Sequence, residues 1–153
     1  MSEGDSVRLP RNRVRPAQEE QLDFSLYLAS RAMTTHYREA LGDSGLTFPK
    51  YLVMKALWEH GSIAVRDLRA LLQIDSGSLS PLLKHLEAAC LVRRSRDIDD
   101  ERRVTISITP EGAMLRDPVT AALDRPRISP SVSPDDCLYL AARLDALTSK
   151  STD

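Results

Sequence analysis

Apolar positions in the first part of the chain follow a helical period and predict a long helix over residues 19–41. One stripe recurs at spacings of three and four residues and contains Leu22, Leu26, Ala29, Met33, Tyr37 and Ala40. A second stripe contains Phe24, Leu28 and Thr35. A helix with two apolar faces needs two packing partners, so we expect one face to contact another subunit.

Three shorter helices are predicted next. Thr47 and Pro49 open the first of them as N-cap and early proline, and Gly61 ends it. The next covers 65–72 and is expected to point four apolar side chains inward, namely Val65, Leu68, Leu71 and Leu72. The third begins after a cap at Asp75 or Ser76. The last two, joined by a tight turn, have the arrangement of a helix-turn-helix.

The helix after Asp75 has two contrasting faces on a helical wheel. One face spans an arc of roughly 100° and contains Leu79, Leu82, Leu83, Leu86 and Cys90. It predicts a core stripe, with Cys90 as a buried and inert thiol. The opposite face carries no acid and contains Gly77, Ser80, Pro81, Lys84, His85 and Ala88. Such a face can enter a DNA major groove without steric or charge conflict.

Strict alternation of apolar and polar residues predicts a half-buried strand from Val104 to Thr109. A strongly charged turn at 97–103 precedes it and follows another short strand. Helix, strand, charged turn and strand are the order of a winged helix. The fold class we predict is therefore mainly α with a small β-hairpin, a winged helix-turn-helix.

The C-terminal third is predicted to be helical with interruptions. A fifth helix starts at Thr109, Pro110 and Glu111, and Pro118 is expected to interrupt it. Pro126, Pro130 and Pro134 then favour a loop. A last helix starts at 133–136, and its apolar residues are Cys137, Leu138, Leu140, Ala141, Leu144 and Leu147.

Composition indicates one globular domain. The 153 residues are 42% hydrophobic, and no apolar run approaches the roughly 18 residues that span a bilayer. Residues 1–17 alternate arginine with proline and predict a flexible arm, either a solvated tail or a contact to DNA phosphates. We expect a single domain over 18–153 and, since no signal peptide is evident, a cytoplasmic location.

The net charge of -1 does not by itself indicate a nucleic-acid partner. A DNA-binding face needs only a local excess of base, which is supplied by Lys84, Arg93, Arg94, Arg96, Arg102 and Arg103. The two cysteines and three histidines lack metal-ligand spacing, so we expect no metal and no cofactor. Without a nucleophile elbow, P-loop or dinucleotide motif, we expect no enzyme.

Four segments in order resemble the MarR family of bacterial transcription regulators, and most closely its organic-hydroperoxide-sensing (OhrR-like) branch. They read LYLASRAMTTHYR, GLTFPKYLVMKALWE, DSGSLSPLLKHLEAACLVRR and DDERRVTISITPEG and lie within 22–112. The resemblance implies a homodimer joined through terminal helices at about 18–42 and 110–149, with a winged helix at about 47–109. It also implies a repressor on palindromic double-stranded DNA, released by a ligand or oxidant.

The resemblance assigns DNA-binding residues to this chain. The family's reading helix corresponds to Ser76, Ser78, Ser80, Pro81, Lys84 and His85, and the basic residues of the wing region are Arg96, Arg102 and Arg103. Serine hydroxyls and lysine can bond phosphates and base edges, and a wing arginine can enter a narrow minor groove.

Four positions depart from the family pattern. Asp23 stands where the hydroperoxide branch has its reactive cysteine, and an aspartate has no sulfur to oxidise. Tyr27 and Tyr37 match two tyrosines of that branch, whereas Phe48 replaces a third. Cys90 stands where the family usually has glycine, and Pro118 falls in a helix that is usually uninterrupted.

We therefore expect release by a small-molecule effector rather than by oxidation in the first helix. A pocket near the dimer seam would be lined by Asp23, Tyr27, Tyr37, Phe48, Tyr51 and Met54. The alternative for these residues is an aromatic core with an exposed aspartate. Two alternatives remain for the function: a redox-responsive repressor that uses Cys137 or Cys90, and a winged-helix module that binds protein.

Overall fold

The computed structural model describes residues 18–96, 104–124 and 133–149. The predicted arm at 1–17, the turn with Arg102 and Arg103, and the predicted loop around Pro126 and Pro130 lie outside these ranges.

Seven α-helices and three strands make up the described residues. In chain order they are α1 Gln18–Leu41, α2 Phe48–His60, β1 Ser62–Ala64, α3 Val65–Leu72, α4 Ser76–Ala88, β2 Val92–Arg96, β3 Val104–Ile108, α5 Pro110–Met114, α6 Arg116–Leu123 and α7 Pro134–Ser149. A short 3₁₀ helix, Gly42–Ser44, separates α1 from α2. The predicted winged helix-turn-helix is confirmed, and no described helix is long and apolar enough to cross a membrane.

The sheet has one more strand than the predicted hairpin. Its order is β1-β3-β2, with both neighbours antiparallel to β3. β1 places Ile63 opposite Ile106, whose side chain is completely buried. Three residues are too few to show an alternating pattern, so the sequence did not reveal β1.

One core joins the helices to the sheet. It contains Tyr37, Leu41, Leu46, Val53, Met54, Ala56, Leu57, Leu68, Leu79, Leu83, Leu86, Val92, Ile106, Val119 and Leu123. The predicted inward stripe of α3 is wrong at Leu71, which is 54% exposed, because only Leu68 of that helix reaches the centre of the core.

The terminal helices leave apolar surface uncovered in the single chain. On α1 the exposed large residues are Leu22, Phe24, Tyr27, Leu28 and Met33. On α7 they are Leu138, Tyr139, Leu140, Leu144 and Leu147. Only the last part of α1 joins the core, through Tyr37 and Leu41. Faces of this kind are typical of contacts with a partner.

Local chemistry explains most helix ends. Thr47 has the extended N-cap conformation, but contrary to expectation its side chain makes no cap hydrogen bond. Thr109 caps α5 as predicted, by accepting a hydrogen bond from the amide of Gly112 at 3.0 Å. The expected break at Pro118 occurs instead at Leu115. Pro118 is the third residue of α6, where a helix needs no amide hydrogen, while its ring would clash with a continuous turn before it.

Candidate nucleic-acid interface

The turn between α3 and α4 is closed by backbone bonds and a side-chain cap. Gln73 has a left-handed φ of 51°, and the amides of Gln73 and Ile74 donate to the carbonyls of Ala70 and Arg69. Asp75 then caps α4, since its carboxylate accepts from the Ser78 amide at 2.9 Å. This geometry ends α3 sharply and sets where α4 begins.

The Asp75 carboxylate also binds the side chain of Ser78, one of the predicted DNA-binding residues. Ser78 Oγ donates to the second oxygen of the Asp75 carboxylate at 2.7 Å. This hydrogen bond, with that of the Ser78 amide, lowers the pKa of Asp75 below its ordinary value of 3.8. The Ser78 hydroxyl therefore has a structural partner before any ligand arrives.

The predicted outer face of α4 is exposed in the structure. Leu79, Leu83 and Leu86 are buried, whereas the six predicted contact residues of this helix, Ser76, Ser78, Ser80, Pro81, Lys84 and His85, are all exposed. Leu82, expected in the core stripe, is half-buried. Pro81 lies inside the helix and has no amide hydrogen, so the Gly77 carbonyl lacks its usual helical donor.

A cleft of about 140 Å³ separates α3 and α4 from β2 and β3. Its lining includes Ser76 and Ser80 of α4, Arg94 of β2 and Arg69 of α3. Nε of Arg94 is buried and has no hydrogen-bond partner among the described residues. Its spacing of two residues from buried Val92 places Arg94 on the inner face of the strand, so Arg94 is more than the local positive charge that the sequence indicates.

The wing is described only at its base. Arg96 is exposed at the end of β2, where it is paired with Val104 across the sheet. The predicted wing residues Arg102 and Arg103 lie outside the described ranges. Of the predicted wing residues, Arg96 is the one that lies within the described ranges.

The six predicted pocket residues form two separate groups within one chain. Ring centroids of Tyr37 lie 4.2 Å from Phe48 and 5.7 Å from Tyr51, and Met54 is completely buried. Asp23 and Tyr27 are exposed, and Asp23 precedes Tyr37 by fourteen residues, about 21 Å along a helix. All six can line one pocket only if a second chain brings the groups together.

The burial predicted for Cys90 is wrong. Helix α4 ends at Ala88, and Cys90 is exposed with a left-handed φ of 58°. The amides of Cys90 and Leu91 donate to the carbonyls of Glu87 and Leu86, which is a Schellman turn. Because the chain has left the helix, the helical wheel no longer describes the direction of the Cys90 side chain.

The second cysteine and the candidate metal-ligating side chains can also be located in the structure. Cys137 is half-buried in the first turn of α7 and, like Cys90, is a free thiol. Among the described residues, no group of three or more His, Cys, Asp and Glu side chains is placed to hold a metal ion.

Comparisons with known proteins place these features in a family. Residues 36–117 match the family model described as transcriptional regulator SarA/Rot. The chain is 43% identical over 99 residues to the organic hydroperoxide resistance transcriptional regulator of Bacillus subtilis (strain 168), covering 65% of this chain and 67% of that protein. It is 45% identical over 98 residues to the HTH-type transcriptional regulator TtmR of Methylorubrum extorquens (strain PA1), covering 64% of this chain and half of that longer protein.

Solved structures show the same architecture. The structure of reduced AbfR bound to DNA superposes with a TM-score of 0.79 at 28% identity, covering 88% of this chain and 94% of that one. AbfR is a protein of Staphylococcus epidermidis. The resemblance identified from the sequence is thereby confirmed at the level of the family.

Proposed function

The chain belongs to the SarA/Rot/MarR-type family of winged-helix transcriptional regulators, and from this premise we propose that it is a repressor that binds a pseudo-palindromic operator as a homodimer. The observation that carries the proposal is the exposed face of α4, which is free of acid along Ser80, Pro81, Lys84 and His85. Residues 47–109 form the DNA-binding unit, while 18–42 and 110–149 join the two subunits.

The proposal requires two reading helices about one turn of DNA apart, roughly 34–36 Å. One α4 per chain supplies one half-site, and the uncovered apolar faces of α1 and α7 support the pairing of two chains. Lys84 supplies positive charge on the exposed face, and Arg96, Arg102 and Arg103 are proposed to reach the flanking backbone and minor groove.

Lys84→Ala tests the assignment of the DNA-binding face. If Lys84 contacts a phosphate, the variant binds all operator sequences more weakly, and the slope of log affinity against log salt decreases by about one. If Lys84 reads guanine, one operator position loses about 1–3 kcal/mol of discrimination. The measurement is a gel-shift titration at several salt concentrations on the chain's own upstream DNA, with Lys55→Ala as the matched control.

Lys55 suits that control because it is an exposed lysine on α2 that pairs loosely with Glu59 at 3.9 Å. We expect Lys55→Ala to bind as the wild type does. A wild-type protein that binds upstream DNA no better than random DNA contradicts the regulator proposal and favours a protein-binding winged helix. Equal losses in both lysine variants contradict the assignment of α4 as the reading element.

We further propose that a small aromatic ligand, rather than a first-helix thiol, releases the DNA. Asp23 provides no sulfur, and the half-buried rings of Phe48 and Tyr51 form an aromatic cluster with the buried ring of Tyr37 on α1, against which an aromatic ligand can stack. The second candidate is redox control at Cys90, which its exposure at the end of α4 favours.

Cumene hydroperoxide at low stoichiometry separates the two candidates. We expect operator binding to persist in the wild type and in a Cys90→Ser/Cys137→Ser variant alike. Rapid release of the wild type, absent in the double variant, would establish redox control through a cysteine outside the first helix. A ligand screen on the same operator complex then identifies the effector, and Tyr37→Ala, which removes a ring, tests the ring cluster.

A further inference from the structure

The hydroxyl group and the amide of Thr109 both tie the turn that ends α4 to the start of α5. Thr109 Oγ1 donates to the carbonyl of Cys90 at 2.7 Å and accepts from the amide of Gly112 at 3.0 Å. The Thr109 amide donates to the Leu91 carbonyl at 3.2 Å. We call this contact, formed by Cys90, Leu91, Thr109 and Gly112, the α4–α5 joint.

The joint is closely packed around Gly112. Gly112 is buried, and a Cβ at that position would collide with the carbonyl oxygen of Leu91 and lie 3.0 Å from Ile108 Cγ1. The carbonyl of Gly112 accepts a hydrogen bond from Trp58 Nε1 at 2.8 Å. Helix α2, the end of α4 and the first turn of α5 therefore meet at a single glycine.

The joint lies between the DNA-binding unit and the helices with uncovered apolar faces. Helix α6 follows α5 directly and packs against α1. The DNA-binding unit also packs against α1 through α2, with ring contacts such as Phe48 on Tyr37. Contact with one helix leaves rotation about that contact free, and a second attachment removes that freedom.

We propose that Thr109 is a positioning residue that sets the distance and rotation between the two α4 helices of the dimer, and hence the half-site spacing the protein accepts. This inference rests on the proposed function. Thr109 touches no DNA in it. Its hydroxyl holds α4 in a fixed orientation relative to the helices that join the subunits.

The test measures affinity for operators in which the half-sites are separated by the natural spacing or by one base pair more or fewer. One base pair shifts a half-site by about 3.4 Å and rotates it by about 34°. The wild type is expected to discriminate strongly. Because a neutral hydrogen bond shifts an equilibrium by about 2- to 12-fold, Thr109→Val, which loses two, should lower the spacing preference by about tenfold.

Matched variants distinguish positioning from loss of stability. Thr109→Ser keeps the hydroxyl and should restore the wild-type spacing preference. Thr120→Val makes the same chemical change on α6, where the hydroxyl donates to the Arg116 carbonyl of its own helix, and should leave the preference unchanged. Trp58→Phe removes the hydrogen bond to Gly112 from the other side and should relax spacing even if Thr109→Val does not fold.

The outcomes are separable. A wild-type spacing preference in both Thr109→Val and Trp58→Phe overturns the inference and leaves the proposed function standing. A wild type that binds no operator overturns both. Equal weakening on all spacings, without a change in their ratio, also overturns the inference, because it indicates a purely structural role.

Discussion

Cys90 occupies a backbone position that favours glycine. Its φ of 58° lies in the left-handed region, where a side chain costs roughly 1–2 kcal/mol. The Schellman turn around it needs this conformation, because the amides of Cys90 and Leu91 must reach back to Glu87 and Leu86. A glycine at this position would therefore adopt the turn without this strain.

Cys90→Gly should therefore raise the free energy of unfolding by about 1 kcal/mol, since relief of strain exceeds the added entropy of the unfolded chain. Cys90→Val should lower it, because a branched side chain tolerates this conformation poorly. Urea titration followed by circular dichroism measures both. A less stable glycine variant would show that the thiol makes a contact worth more than the strain.

At the scale of the element, the beginning of α4 depends on the ionised Asp75. The folded pKa of Asp75 lies below the unfolded value of 3.8, chiefly because the Ser78 hydroxyl bonds the carboxylate. A lowered pKa means that the ionised cap stabilises the fold above pH 3.8 and that this contribution is lost as the pH falls through the folded value.

The Asp75→Ala variant should accordingly have a lower melting temperature than the wild type at neutral pH. This difference in melting temperature should disappear as the medium is acidified below pH 3.8. Asp75→Asn is the matched control, because its amide oxygen still caps the helix but does not titrate. Thermal melts across acidic and neutral pH check this. A gap between Asp75→Ala and wild type that stays constant with pH would contradict it.

At the scale of the whole molecule, the single chain has more apolar surface than it can bury. Along α7, Leu140, Leu144 and Leu147 lie on one helical face with Cys137 and Ala141, and none of them belongs to the core. Ala146 lies on the opposite face of the same helix. A dimer that covers this leucine face explains why the exposed positions on it are apolar.

Leu144→Asp should give a folded monomer at micromolar concentration, because a carboxylate in a buried apolar interface has no partner. Its operator affinity should fall by about 100-fold, since two linked half-sites no longer bind together. Ala146→Asp introduces the same charge on the other face and should remain dimeric. Analytical ultracentrifugation and gel shifts measure the two effects, and a dimeric Leu144→Asp would exclude this face from the interface.

The local elements of this protein were determined by its sequence. Periodicity predicted α1 to α4 and the strand at 104–108 to within a residue or two, and the cap at Thr109 was correctly identified. These features depend on interactions within a few residues, so spacing alone reveals them. The exposed face of α4 with Ser80, Lys84 and His85 followed from the same periodicity, whereas Ser76, Ser78 and the wing arginines were assigned by the resemblance to the MarR family.

Only the tertiary structure decided the features that join distant segments. The pairing of β1 with β3, the inward position of Arg94 beside α4, and the joint between Cys90, Thr109 and Gly112 all link residues far apart in the chain. The hydrogen bond from Thr109 to the Cys90 carbonyl belongs with them, whereas the left-handed turn that exposes Cys90 is closed locally, by bonds to Leu86 and Glu87. Local patterns record which face of an element is apolar, whereas the path of the chain between elements determines which residues meet.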